Sequence, residues 1–248
     1  MTTIGIGLGS DKDKVLESIR NAGISSEIVC YAYEPQSVPA GETFRMEVSD
    51  HPCLSMVSDL VSGRISAAVR GTLPANETLS ALKSAAGVDS LERAALLETS
   101  RGKKFLLAPV GIDEGWTVSQ KVDLIQKIQK IASRLGISEK VAVLSGGRFG
   151  DLGRHNAVDR SMADAELVAR FTGAGHYQIL IEEAIDECGV IIAPDGISGN
   201  LIFRTLTFLG SGHGHGAPVL NINYIFVDTS RASSDYANAL RLAESLLK

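Results

Sequence analysis

Apolar residues along this chain fall into two alternating kinds of run. The first kind is short and nearly unbroken, as in Thr3–Leu8, Ile28–Ala32, Ala67–Val69, Phe105–Val110, Lys140–Ser145 and Val190–Pro194, and predicts buried strands. In the second the apolar positions recur with a helical period, as in Lys12–Ala22, His51–Gly63, Ser119–Leu135, Met162–Phe171 and Gln178–Asp186. Strand and helix in alternation predict parallel βα units. Ser10 or Asp11 is the expected N-cap of the first helix and Gly23 its stop, while Pro74 opens another. Glu34–Gly41, with Pro35 and Pro39, reads as a loop; Val219–Val227 adds strand material and Asp235–Leu247 a last helix.

Four predicted strand ends carry residues suited to a site: Arg70-Gly71-Thr72, Ser145-Gly146-Gly147-Arg148, Pro194 to Asn200, and Thr229-Ser230-Arg231. In open α/β sheets ligands collect beyond the carboxyl ends of strands. The third is the most informative, since VIIAPDGISGNLIFRTLTFLG runs from a strand through glycines straight into a helix. Such a turn aims backbone N–H groups and the positive end of a helix at one spot, which favours an anion. Arg231 adds the side chain best shaped to fork a phosphate or carboxylate. Asp195 reads equally well as the cap of that helix.

Composition narrows the field. With 248 residues, 44% hydrophobic and 25 glycines, the chain can bury a sizeable core with many tight turns. A net charge of −5 argues against nucleic acid as a partner. No run reaches the ~18 apolar residues of a membrane helix, and no basic segment with an apolar stretch opens the chain, so a soluble cytoplasmic protein is expected. Cys30, Cys53 and Cys188 are odd in number and lack CxxC spacing, and read as buried thiols.

The order and spacing of these pieces resemble the phosphate acetyl/butyryltransferase family, within it a methyltransferase-related subgroup known from methane-producing archaea. Gly136–Gly147 resembles the family's strand leading into a Leu-Ser loop, Ile191–Gly210 its Pro-Asp-x-x-x-Gly-Asn signature, and Val227–Ala232 its Leu-Ser-Arg-Gly element. Ala67–Leu82 is similar to its Val-x-Gly-Ala strand end, and Ala217-Pro218 to its Gly-Pro. The resemblance implies two three-layer α/β/α domains, of isocitrate/isopropylmalate dehydrogenase-like, phosphotransacetylase type, with an interdomain cleft. By analogy residues 1–88 plus 219–248 form the first domain and 89–218 the second. It also implies a homodimer that moves acyl groups between phosphate and coenzyme A, with coenzyme A as candidate co-substrate and no metal or required cofactor.

On that reading Ser230 and Arg231 bind a phosphoryl group or acyl phosphate, Arg70 with Gly71 and Thr72 supplies a second positive charge, and Gly199 and Asn200 line the cleft with Asp195. Ser145, Gly146, Gly147 and Arg148 face it from the second domain. Donors of this kind offset charge building on a tetrahedral oxyanion and a departing phosphate. Two departures stand against transfer chemistry. The acidic residue expected six positions after the arginine, proposed to deprotonate the thiol, is Ala237, leaving Asp235 as the nearest substitute. The Lys-Gly-Ser after the Leu-Ser loop is replaced by Arg148-Phe149-Gly150-Asp151. The alternative is therefore an accessory protein of methyl-group metabolism, with a methyltransferase partner, that keeps only the anion-binding cleft. No S-adenosylmethionine or corrinoid signature is visible.

The remaining motifs read plainly. Gly5 to Gly9 mimics a dinucleotide fingerprint, but Ser10 stands where its third glycine belongs. His213 and His215 invite a metal, yet no acidic residue or cysteine accompanies them in sequence, and a glycine loop is expected there. His51, His155 and His176 read as surface or capping residues, and PDGISGN has one aspartate where an isocitrate-type dehydrogenase wants a cluster.

Overall fold

The computed structural model describes residues 2–35, 44–230 and 233–248. In chain order the elements are β1 (Thr3–Leu8), α1 (Lys12–Ala22), β2 (Glu27–Ala32), β3 (Phe44–Val48), α2 (Pro52–Val61), β4 (Ala67–Val69), α3 (Ala75–Ala86), β5 (Ala95–Glu98) and β6 (Lys104–Ala108). They continue with α4 (Val118–Arg134), β7 (Val141–Leu144), α5 (Asn156–Thr172), β8 (Gly175–Gln178), α6 (Ile181–Glu187), β9 (Val190–Ile192) and α7 (Gly196–Phe208). The chain closes with β10 (His213–Gly214), β11 (Ala217–Pro218), β12 (Ile225–Asp228) and α8 (Ala237–Ser245). Two compact units result, Met1–Leu91 with His215–Lys248, and Glu92–Gly214. Both are α/β, the fold class that the alternating pattern predicts.

The first unit holds a sheet of order β11-β12-β4-β1-β2-β3, in which all neighbours but β11 and β12 run parallel. Helices α1 and α8 pack on each other, as do α2 and α3. Strand β1 is therefore buried without a break from Ile4 to Leu8 instead of alternating. Its glycines serve packing: a methyl group on Gly5 would overlap the Ile65 side chain, and one on Gly7 the Leu73 side chain and the Arg70 carbonyl. The core gathers Tyr31, Met56, Leu60, Leu73, Leu82 and Phe226. From β1 the chain passes through α1 to β2 on one side, while β4 on the other side leads through α3 to the second unit, and the chain returns to pair β12 with β4.

The second unit holds a sheet of order β10-β5-β6-β9-β7-β8, with β6, β9, β7 and β8 parallel. From β7 the chain turns through α5 to β8, and from β9 through α7 to β10 at the opposite edge. The switch point here lies between β7 and β9, whose chains leave the sheet in register, Val143 beside Ile192. Helix α4 begins at a full capping box, Thr117 accepting from the Gln120 N–H while the Gln120 side chain accepts from the Thr117 N–H.

Several expectations need correction. Asp11 is the N-cap of α1 by position, but its backbone is left-handed and its side chain makes no cap bond. Gln178 ends strand β8, and the helix predicted from that residue starts only at Ile181. Strands β3, β5 and β8 go unpredicted, because each sits toward a sheet edge with half its residues or more uncovered or too few to show a period. His213 and Gly214 form a short strand against β5 where a glycine loop was expected. Most of the predicted loop Glu34–Gly41 lies outside the described residues. All three cysteines are buried and form no disulfide, and burial pushes the Cys30 thiol up to about 12. Among the described residues no helix is long and apolar enough to cross a membrane.

Candidate functional site

In the first unit the loop after β4 and the end of β12 come together, as neighbouring parallel strands must. Arg70 is 4% exposed; its Nε donates to Asp228 Oδ1 at 2.5 Å and its Nη1 to the Leu73 carbonyl at 2.9 Å. A cation so enclosed needs a counter-charge, and Asp228 supplies it within the sheet's own edge. Gly71 takes a positive φ of 59°, and a methyl there would overlap the Gly7 carbonyl. Its own carbonyl accepts from Thr229 Oγ1 at 2.8 Å, and Thr72 Oγ1 accepts from the Gly9 N–H at 2.9 Å. Arg70, Gly71 and Thr72 thus knit three strand ends together.

Ser230 follows directly on that knot and its carbonyl accepts from the Ser233 N–H at 3.1 Å. Arg231, the foremost candidate cation, lies outside the described residues. Asp235 is exposed, and its Oδ1 accepts from the Ala237 N–H at 3.0 Å, so it caps the start of α8. Ala237 is 5% exposed in the first turn of α8, packed where an unpaired carboxylate would be costly.

In the second unit the Pro-Asp-Gly…Gly-Asn stretch is spent largely on seating α7. Asp195 is its N-cap, accepting from the Ser198 N–H at 2.7 Å, and the Gly196 N–H donates to the Glu114 carbonyl at 3.1 Å. Methyl groups on Gly196 and Gly199 would overlap the carbonyls of Gly111 and Pro109. Asn200 Nδ2 donates to the Val110 carbonyl at 3.0 Å. The loop beneath is itself fastened, because Glu114, with 2% of its side chain exposed, accepts from Arg93 Nε at 2.8 Å. Burial pushes the Glu114 carboxyl up and Arg93 opposes that shift. Of the first three N–H groups of α7, only that of Ile197 has no acceptor among the described residues.

Beside it, on β7, the Ser145 loop is held from β8. An extra residue interrupts the register, with His176 facing Val143 and Gln178, at φ 57°, facing Leu144. The bulge turns the Gln178 carbonyl onto the Ser145 N–H at 2.7 Å and its side chain onto the Phe149 N–H at 2.9 Å. His176 Nε2 lies 2.9 Å from Ser145 Oγ, and its Nδ1 lies 3.0 Å from Glu166 Oε2. The result is a hydroxyl–imidazole–carboxylate chain, with the ring packed edge-on against Phe149. His176 is thus an internal clamp with 5% of its side chain exposed, contrary to the surface or capping role expected for it; His155 does cap α5. Ser145 is 1% exposed and also bonds the Gly147 carbonyl at 3.1 Å, so the chain sets the loop's conformation. The Gly146 N–H donates to Ser161 Oγ at 2.9 Å; the Arg148 N–H donates to Asp151 Oδ2 at 2.9 Å, and its guanidinium is exposed beside that carboxylate.

Sequence reasoning missed Lys121, which is 4% exposed in the first turn of α4. Burial lowers its pKa, with Asp164 and Asp195 pulling the other way. A signal was available: Lys121 stands three, four and seven positions before Leu124, Ile125 and Ile128, inside the buried stripe of its helix. Among the described residues no group of three or more His, Cys, Asp or Glu side chains is arranged to hold a metal ion.

Comparison with known proteins gives two kinds of likeness. A "putative methyltransferase mtx subunit X" from Methanosarcina barkeri is 43% identical over 250 residues, covering 98% of this chain and 92% of that protein. One of the same description from Methanosarcina acetivorans is 45% identical, covering 98% and 89%. An "uncharacterized methyltransferase" from Methanopyrus kandleri is 39% identical over 258 residues, covering 98% of each. Among solved structures, a branched-chain phosphotransacylase from Enterococcus faecalis matches with a TM-score of 0.77 at 17% identity, over 99% of this chain and 100% of that one. The EutD phosphotransacetylase from Staphylococcus aureus matches at 0.74 and 12% identity, over 100% and 94%. At such identities the likeness is one of fold. No family model matches the chain.

Proposed function

We propose that this chain, which belongs to the family of the mtx subunit X proteins and has a phosphotransacetylase-type fold, is a phosphate acyltransferase-like protein that binds phosphate or an acyl phosphate, with coenzyme A or a related thiol as acceptor. The observation that carries this reading is the whole-chain match to phosphotransacylases, with the Thr229-Ser230-Arg231 strand end in the sequence position where the resemblance puts a phosphoryl-binding pair. In this reading Ser230 and Arg231 hold the phosphoryl group, and Asp235 is the carboxylate available to the thiol. Arg70, Gly71 and Thr72 support that strand end, and Ser145, Gly146, Gly147 and Arg148 with Asp195, Gly199 and Asn200 form the ligand-facing edge of the second unit. Transfer then moves the acyl carbon from the phosphate oxygen to the thiol sulfur, the thiol proton going to the base and the phosphate leaving.

The expected result is thiol-dependent release of phosphate from acetyl phosphate, which Arg231→Ala lowers by about a hundredfold, the scale of losing one transition-state charge partner. Release at the same rate without thiol, or unaffected by the substitution, would sink this reading.

Self-association is part of the same proposal. Only Gly196 and Gly199 of α7 are buried, while Ile197 is 48% and Leu201 60% exposed, and Leu209 beyond it 84%. An apolar helix face so bare supports a second copy of the chain as its cover, in keeping with the word subunit in the relatives' names. Light scattering after gel filtration should give twice the chain mass of 26.3 kDa for the wild type and a single mass for Leu201→Glu. A wild-type monomer would remove α7 as an interface between copies.

A further inference from the structure

We infer that Lys121 is the cation of an anion site inside the second unit, at the switch point between β7 and β9, where it takes the oxygens of a phosphoryl group. A lysine this far covered commonly has a carboxylate or carbonyl on its ammonium, because its three donors keep little room for water. Lys121 is 4% exposed and makes no hydrogen bond or ion pair among the described residues. No fully enclosed side-chain nitrogen or oxygen there lacks a partner, so the ammonium is the end of Lys121 that still reaches open space.

Its surroundings follow from the elements packed against α4, among them α5 and β9. The charged groups acting on it are Asp164 and Arg160 of α5 and Asp195, the cap of α7. Neither carboxylate pairs with it: Asp164 accepts from Arg160 Nε at 2.8 Å and Asp195 from the Ser198 N–H at 2.7 Å. Ser161, one helical turn before Asp164, holds Gly146, so the same face of α5 borders the Ser145 loop. Two backbone donors without an acceptor among the described residues stand just after β7 and β9, the strands that flank the switch point: the N–H groups of Gly147 and Ile197. Ile197 is in the first turn of the 13-residue α7, whose dipole adds positive potential. One ammonium and two N–H groups want a ligand with several acceptor oxygens and negative charge. That the ligand is a phosphoryl group and not a carboxylate rests on the proposed function; the site itself does not.

The phosphoryl oxygens could belong to inorganic phosphate or an acyl phosphate, or to the pyrophosphate of a nucleotide such as coenzyme A. The test uses the wild-type protein first: amine acetylation by an N-hydroxysuccinimide ester, followed by peptide mass spectrometry, with inorganic phosphate or ADP as probe. Lys121 should acetylate slowly and become about tenfold slower still with a probe at about ten times its dissociation constant. The exposed Lys104 should not change. Protection by phosphate assigns the first source, protection by ADP alone the second. A Lys121 that never reacts, or reacts equally with both probes present, overturns the site.

Thermal midpoints then separate this inference from the reading it draws on. A probe-dependent rise that Lys121→Met loses, and Lys121→Arg keeps, supports the site. A rise lost in Arg231→Ala but intact in Lys121→Met overturns it and leaves the proposed function standing. A rise lost in Lys121→Met alone supports the site and counts against Arg231 as the phosphoryl anchor. Absence of any rise in the wild type overturns both. Should Lys121→Met fail to fold, the wild-type acetylation result decides.

Discussion

Gly199→Ala should destabilise the protein by about 3 kcal/mol or more, with no ligand present, because the added methyl meets backbone and not a side chain that can swing away. Its neighbour is the Pro109 carbonyl, on a loop tied down by Asn200 to Val110 and by Glu114 to Arg93. The helix cannot lift locally without losing the Asp195 cap and the Gly196 contact with Glu114 as well. Urea or thermal unfolding of the variant reads the effect directly. Asn200→Ala, which deletes a single hydrogen bond, should cost only about 1 kcal/mol on the same assay. A Gly199→Ala protein with the wild-type midpoint would show that α7 is not seated this way, and would return the Gly-Asn pair to a purely ligand-binding role.

The second large effect belongs to Arg70. Truncation to alanine leaves Asp228, 12% exposed in its side chain, without the guanidinium that neutralises it, and such losses cost about 3–5 kcal/mol. The Leu73 carbonyl loses its Nη1 donor at the same time. Pairing Arg70→Met with Asp228→Asn should recover part of the loss, since the buried charge goes with its partner. Equilibrium unfolding of the two single variants and the double variant, without ligand, measures the coupling. A stable Arg70→Ala protein that fails only to respond to phosphate would reverse the assignment, making Arg70 a ligand cation and not the strut at this strand end.

The four strand ends carry groups able to meet an anion, namely guanidiniums, hydroxyls, a side-chain amide and glycine N–H groups, with a carboxylate beside them. In the folded chain many of those groups already have protein partners. Arg70 has Asp228, Thr72 has Gly9, Asp195 has Ser198, Asn200 has Val110 and Ser145 has His176. Sequence can identify a group able to bind an anion, but not whether another strand already satisfies it. Lys121 is the reverse case. It looked like an ordinary polar residue of an amphipathic helix, and only burial and the lack of a partner single it out.

Fold class, the order of βα units, the capped starts of α4 and α7, and the Gly23 stop follow from local information, because hydrophobic period, capping and glycine backbone act within a few residues of chain. Strands β3 and β8 and the clamp of Glu166 and His176 on Ser145 depend on partners distant in sequence, and so does the division of polar groups into spent and free. A strand with little pattern of its own becomes one by bonding to its neighbour, and a side chain becomes structural when a partner 158 residues away, as Asp228 is from Arg70, reaches it first. The sequence by itself determined the fold class and the order of the well-covered βα units; only the tertiary structure decided which edge segments become strands and which polar groups remain for chemistry, since both choices are made by contacts the local pattern does not encode.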